Sequence, residues 1–205
     1  IPQVQELVEV LHRRTGGHPL LLSATVDDLL RRSKPENADL IAMAKVTPAS
    51  VRQFIERRFE LLSGEDQGIL AAASVAGDSF SIAAVAAATA MREDRIEARC
   101  ALWAREGQFL AADGATTWPD GTLSSRYRFR HALYPEVVYA GISPERRAQL
   151  HQCVGNRLEA AYGKSVAVVA AELAMHFDQG RDSNRALSHL LQAARNVLER
   201  SAYSE

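Results

Sequence analysis

The chain has 205 residues, with 24 basic residues against 25 acidic ones and 47% hydrophobic content. Near neutrality denies it the broad positive field that draws proteins to nucleic acid or anionic membranes, so either partner would need local recognition. Its two cysteines, Cys100 and Cys153, form no CxxC pair, which argues against a zinc ribbon or disulfide framework and fits a reducing cytoplasm. No apolar run approaches the roughly 20 residues that span a bilayer, and no signal peptide is visible.

The first residues already follow a helical pattern. Pro2 suits a helix start, and Val4, Leu7, Val8 and Leu11 recur at helical spacing. Thr15-Gly16-Gly17 stops that helix and Pro19 restarts one, which runs to Leu29-Leu30. A polar connection leads to Thr47-Pro48, an N-cap followed by proline at the first helical position. The next helix carries Val51, Ile55, Phe59 and Leu62 on one face. Ser63 caps another, with Glu65 and Asp66 suited to its first turn. Two more helices are predicted at about 81–90 and 93–106, the second ended by Gly107.

The period then changes. Phe109 to Ala111 and Tyr127 to Arg130 read as two short strands around a turn-rich loop holding Asp113-Gly114, Pro119-Asp120-Gly121 and Ser124-Ser125. Three helices followed by a two-stranded hairpin is the order of a winged helix. After His131 the pattern is helical again. A short helix carries Val137 to Tyr139, and Ser143-Pro144 caps a long one bearing Leu150, Val154, Leu158 and Tyr162. A further helix places Val166, Val169, Leu173 and Phe177 on one side; a turn at Gly180 to Asp182 precedes the last, with Ala186, Leu187, Leu190, Leu191, Ala194, Val197 and Leu198. These two form an αα-hairpin near the roughly 34-residue unit of tetratricopeptide arrays. One such hairpin cannot cover both its apolar faces, so further repeats are expected beyond Glu205, and the sequence reads as a stretch of a longer chain.

Four segments in this order resemble the STAND class of signalling NTPases: Arg14 to Leu22 (RTGGHPLLL), Val51 to Ser63 (VRQFIERRFELLS), Tyr127 to Leu133 (YRFRHAL) and Ala186 to Ala194 (ALSHLLQAA). The likeness is closest to bacterial forms with a nucleotide-binding module, a winged helix and a helical-repeat sensor, whose fused effectors include LuxR-type DNA-binding domains and adenylyl cyclases. It implies a mainly α architecture: lid helices over 1–46, a winged-helix domain over 47–142 and a TPR-like region over 143–205. The cofactor it implies is ATP/ADP. The partners are the chain's own upstream P-loop domain, its downstream repeats and an inducer of unknown chemistry. The full-length parent would be a slow ATPase and the setting cytoplasmic.

The resemblance also implies two nucleotide contacts. Gly17-His18-Pro19 is similar to the GxP element, whose proline packs against adenine. Glycine allows close backbone approach and proline offers a rigid apolar surface. His131 is similar to the histidine of the MHD-type motif, which senses the β-phosphate of ADP. It stands where a strand gives way to a helix, and helix N-termini attract phosphate. The chain departs from the family pattern at Ala132, where many relatives have Asp. Pro135 would break an early helical hydrogen bond if the helix began at His131. The helix is therefore expected to start one or two residues later. From the residues alone, Gly-Gly-x-Pro is equally a helix–loop–helix connector, and His131 equally a cap on its own helix.

Other signals fall away. Gly163-Lys164-Ser165 looks like the end of a P-loop, but Leu158 stands where the motif needs glycine. Without a phosphate loop or a magnesium-binding acidic strand, ATP hydrolysis cannot be completed by these residues. His12, His18, His151, His176 and His189 show no metal-ligand spacing and read as ordinary surface or boundary residues. The third winged-helix helix carries Arg92, Arg95, Arg99 and Arg105 against Glu93, Asp94, Glu97 and Glu106, a net charge of zero, so direct DNA binding is disfavoured. Arg126, Arg128 and Arg130 alternate on one strand and suit either phosphates or solvent. Two alternatives stay open: a DNA-binding winged helix with a helical dimerisation arm, and an interaction scaffold without nucleotide binding.

Overall fold

The computed structural model describes residues 51–202, together with Val8, Glu9, His12, Pro19, Leu22 and Val26. The Thr47-Pro48 cap and all but those six positions of the expected lid lie outside the described residues. The chain divides into two units, Ile1–Leu61 and Leu62–Glu205. In the first, helix α1 (Val51–Glu60) buries Phe54 and Ile55 and leaves Phe59 half-buried.

In the second unit, α2 (Gly64–Ala76) opens as its sequence demands: the Ser63 hydroxyl accepts from the Asp66 amide at 3.2 Å, and Glu65 and Asp66 face the positive helix end. A three-residue strand, β1 (Ser79–Ser81), follows and was not anticipated from the pattern. Ser81 then caps α3 (Ile82–Thr89), which ends at Ala90 in a left-handed conformation. Next come α4 (Glu93–Arg105), β2 (Leu110–Thr117) and β3 (Leu123–Phe129). The three strands form an antiparallel sheet in the order β1-β3-β2. Helix, strand, two helices and a closing hairpin are the order of a winged helix.

The strands run further than the predicted three- and four-residue segments. Asp113-Gly114 is a register irregularity inside β2 rather than part of the connecting loop, with Gly114 at a φ of +82° that only glycine takes readily. The turn proper is Trp118 to Thr122, closed by the Trp118 amide donating to Thr122 O and the Gly121 amide to Trp118 O. The apolar side of sheet and helices meets in one core around Ile69, Leu70, Val85, Ile96, Trp103 and Phe109, with Trp103 and Phe109 edge to face.

The remainder is helical: α5 (Leu133–Ala140), α6 (Pro144–Tyr162), a 3₁₀ segment (Gly163–Val169), α7 (Ala170–Gln179) and α8 (Ser183–Ala202). Ser143 caps α6 with Pro144 in the first turn, as expected. The predicted stripe from Val166 to Phe177 is corrected: 163–169 buries nothing, and the buried face of α7 is Ala170, Leu173, Ala174, His176 and Phe177. Helix α6 approaches α7 closely at Gly155, where an added Cβ would lie 3.1 Å from the Phe177 ring. On α8, Ala186 and His189 are buried while Leu187, Leu190 and Leu191 are each more than half exposed. The chain is thus mainly α with a small antiparallel sheet. Among the described residues no helix is long and apolar enough to cross a membrane.

Candidate functional site

The nucleotide contacts expected from sequence fall in different units. Pro19 is helical and exposed; Gly17 and His18 lie outside the described residues. His131 sits half-buried between β3 and α5. Helix α5 starts two residues later, at Leu133, so Pro135 occupies its first turn, where a missing N–H costs no helical bond. His131 Nδ1 accepts from the Leu133 amide at 3.2 Å, and His131 O accepts from the Tyr134 amide at 3.0 Å. The ring therefore caps its own helix. Two of the orphan amides that would otherwise greet an anion are taken by His131 itself. A neutral imidazole accepting at Nδ1 carries its proton on Nε2, the donor type that a phosphate oxygen accepts from.

The arginines of α4 are largely neutralised within the protein. Arg92 pairs with Asp94 at 2.8 Å and Arg95 with Glu65 at 3.0 Å. Arg99 grips Asp66 with two hydrogen bonds, its Nε 2.6 Å from Oδ1 and its other nitrogen on Oδ2. On β3, Arg126 and Arg128 flank Asp113 at 3.9 and 4.0 Å while Tyr127 and Phe129 point into the core. A groove-reading helix needs positive charge left over for phosphates; these pairs take up Arg92, Arg95 and Arg99, while Arg126 and Arg128 share a single carboxylate. Gly163-Lys164-Ser165 begins the 3₁₀ segment between two helices, with no strand before it.

The reading of His151, His176 and His189 as surface or boundary residues is wrong: they are 2%, 0% and 9% exposed. His151 Nε2 lies 2.9 Å from the Tyr139 hydroxyl, and its Nδ1 lies 2.9 Å from His176 Nδ1. Two Nδ1 atoms can bond only if one carries a proton and the other does not, so the accepting ring is neutral and the pair cannot be doubly charged. His176 Nε2 is buried with no hydrogen-bond partner. Burial pushes the His151 pKa down to about 4, helped by the Arg147 guanidinium; burial and His151 push His176 down to about 4. Arg147 lies 4.3 Å above the Tyr139 ring and donates to Tyr139 O and Ile142 O, so cation, phenol and both imidazoles tie α5, α6 and α7 together. His189 bonds Glu159 at 2.9 Å and stacks on Phe177. The helical period did contain a signal: His151 precedes Val154 by three residues, His176 follows Leu173 by three, and His189 follows Ala186 by three. Polar residue type concealed it.

No family model, curated protein or solved structure matches this chain. Among the described residues no cluster of histidine, cysteine and carboxylate side chains could hold a metal ion. The Cys100 thiol is buried and pushed up to about 12 by desolvation, which makes it a poor nucleophile.

Proposed function

We propose that this chain is the regulatory portion of an ATP/ADP-dependent signal-transduction switch of the STAND type, a transcriptional regulator in which a winged helix couples nucleotide state to a helical-repeat sensor. The observation that carries the reading is the setting of His131. Its ring stands at the strand-to-helix junction with Nδ1 committed to the Leu133 amide, which leaves the proton on Nε2. A β-phosphate would be met by the His131 ring rather than by the amides His131 already occupies. Pro19, with Gly17 and His18, would contact the base. ADP held this way would favour a closed state; ATP and an inducer on the repeats would shift the population toward an open one. The exposed leucines of α8 support the reading, since a repeat array covers such a face with the next hairpin.

The test is ADP affinity in the protein carrying its upstream nucleotide-binding domain. His131→Ala should weaken ADP retention about tenfold, the scale of one hydrogen bond to a charged group. His131→Asp separates capping from sensing, because it keeps an acceptor for the Leu133 amide while repelling phosphate; it should weaken ADP at least as much. Pro19→Ala should weaken ADP and ATP alike. Unchanged ADP affinity in the two His131 variants overturns the assignment.

A further inference from the structure

Helix α8 carries two apolar faces. The one toward α6 and α7 buries Ala186 and His189. On another side Leu187, Leu190, Leu191, Val197 and Leu198 are each more than half exposed, and Ala194 among them is exposed too. Residues three and four apart share a helix face, so these six positions form one stripe over about three turns. No charged residue interrupts it; Arg195 and Glu199 stand at one edge. The stripe is a palindrome about Ala194. Leu190 and Leu191 precede it by four and three residues, and Val197 and Leu198 follow it by three and four.

We propose that this face of α8 pairs with the same face of a second copy of the chain, antiparallel about a two-fold axis at Ala194. The spacing then sets Leu190 against Leu198 of the second copy and Leu191 against its Val197. Alanine meets alanine at the crossing, where small side chains let two helices approach closely. Arg195 falls opposite Ala193 of the second copy, so no like charges face each other. An interface between identical surfaces needs this self-complementarity, in which residue i meets j and j meets i. The extent agrees as well. Five large side chains more than half exposed offer about 500 Å² of apolar surface, so two copies would hide about 1,000 Å², the level at which specific interfaces begin. Contiguous apolar patches of this size mark interaction sites. The pairing involves neither His131 nor Pro19 and stands apart from the nucleotide reading. A further hairpin stacked as in a repeat array would compete for the same leucines.

The experiment is sedimentation equilibrium of the full 205-residue chain, without nucleotide, from about 1 to about 500 µM. A monomer–dimer equilibrium with a Kd in the micromolar range is expected, as suits an interface at the lower end of the specific class. Leu191→Glu changes an exposed position, so it should keep the wild-type circular dichroism while weakening the dimer by at least about a hundredfold, since it buries a charge in the interface. Orientation is read by cross-linking in a Cys153→Ser background, which leaves only the buried Cys100. Ala194→Cys puts a thiol on the axis and should give a disulfide-linked dimer on mild oxidation; Leu187→Cys, seven residues from the axis, should not. Cross-linking at both positions means parallel pairing and overturns the proposal. A dimer that Leu191→Glu leaves intact overturns it too. So does a chain that stays monomeric at about 500 µM, which leaves the face to a following hairpin.

Discussion

Acidification should destabilise this protein well above the range where carboxylates titrate, through the His151–His176 pair. Each ring has its folded pKa near 4 against an ordinary 6.5, so the unfolded chain takes up the proton first. Stability from keeping the rings neutral is complete above pH 6.5 and drains away as pH falls from there toward 4. At pH 5 an unfolded ring is almost fully protonated and the folded ring barely so, a loss of about 2 kcal/mol per ring relative to pH 8. The pair together should therefore remove about 4 kcal/mol, a large share of the stability of an ordinary domain. Urea unfolding followed by circular dichroism at pH 8, 7, 6 and 5 measures this directly. His176→Leu removes one ring and its buried unpartnered Nε2, so the loss between pH 8 and pH 5 should shrink by about half. Arg147 and Tyr139 face His151, and Glu159 with His189 lies further along α6 and α8; all are retained in that variant. An equal pH dependence in wild type and His176→Leu would refute the reasoning.

Other perturbations have equally definite outcomes. Gly180→Ala would place a methyl 2.8 Å from Gln152 Cγ and 2.9 Å from the carbonyl oxygen of His176; backbone cannot yield as a side chain can, so thermal unfolding should show a loss of about 1–3 kcal/mol. Asp66→Ala strips Arg99 of its bidentate partner at the α2–α4 contact and should cost about 1.5–3 kcal/mol in the same assay. Cys153, half-buried, should react with a thiol reagent in the native state. Cys100, buried with its thiol near 12, should react only at the rate of unfolding; equal rates would contradict the burial.

The local punctuation of this chain is carried by its sequence. Ser63, Ser143 with Pro144, and Gly107 mark helix ends through interactions within a turn, and the apolar period distinguishes helix from strand without reference to distant residues. That was enough for the mainly α class, the three helices before the hairpin and the late start of α5 after His131. Strand β1 lay beyond such reasoning. Three residues are too few to show alternation, and only pairing of Phe80 with Tyr127, far along the chain, makes them a strand. The neutral histidine pair belongs to the same class. Helical spacing could put His151 and His176 on apolar stripes, but only the approach of α6 to α7 brings their Nδ1 atoms to 2.9 Å. Caps and periods act within a turn or two of one helix and can be read from the sequence; which charges and rings meet is decided by packing between elements, and there the site chemistry resides.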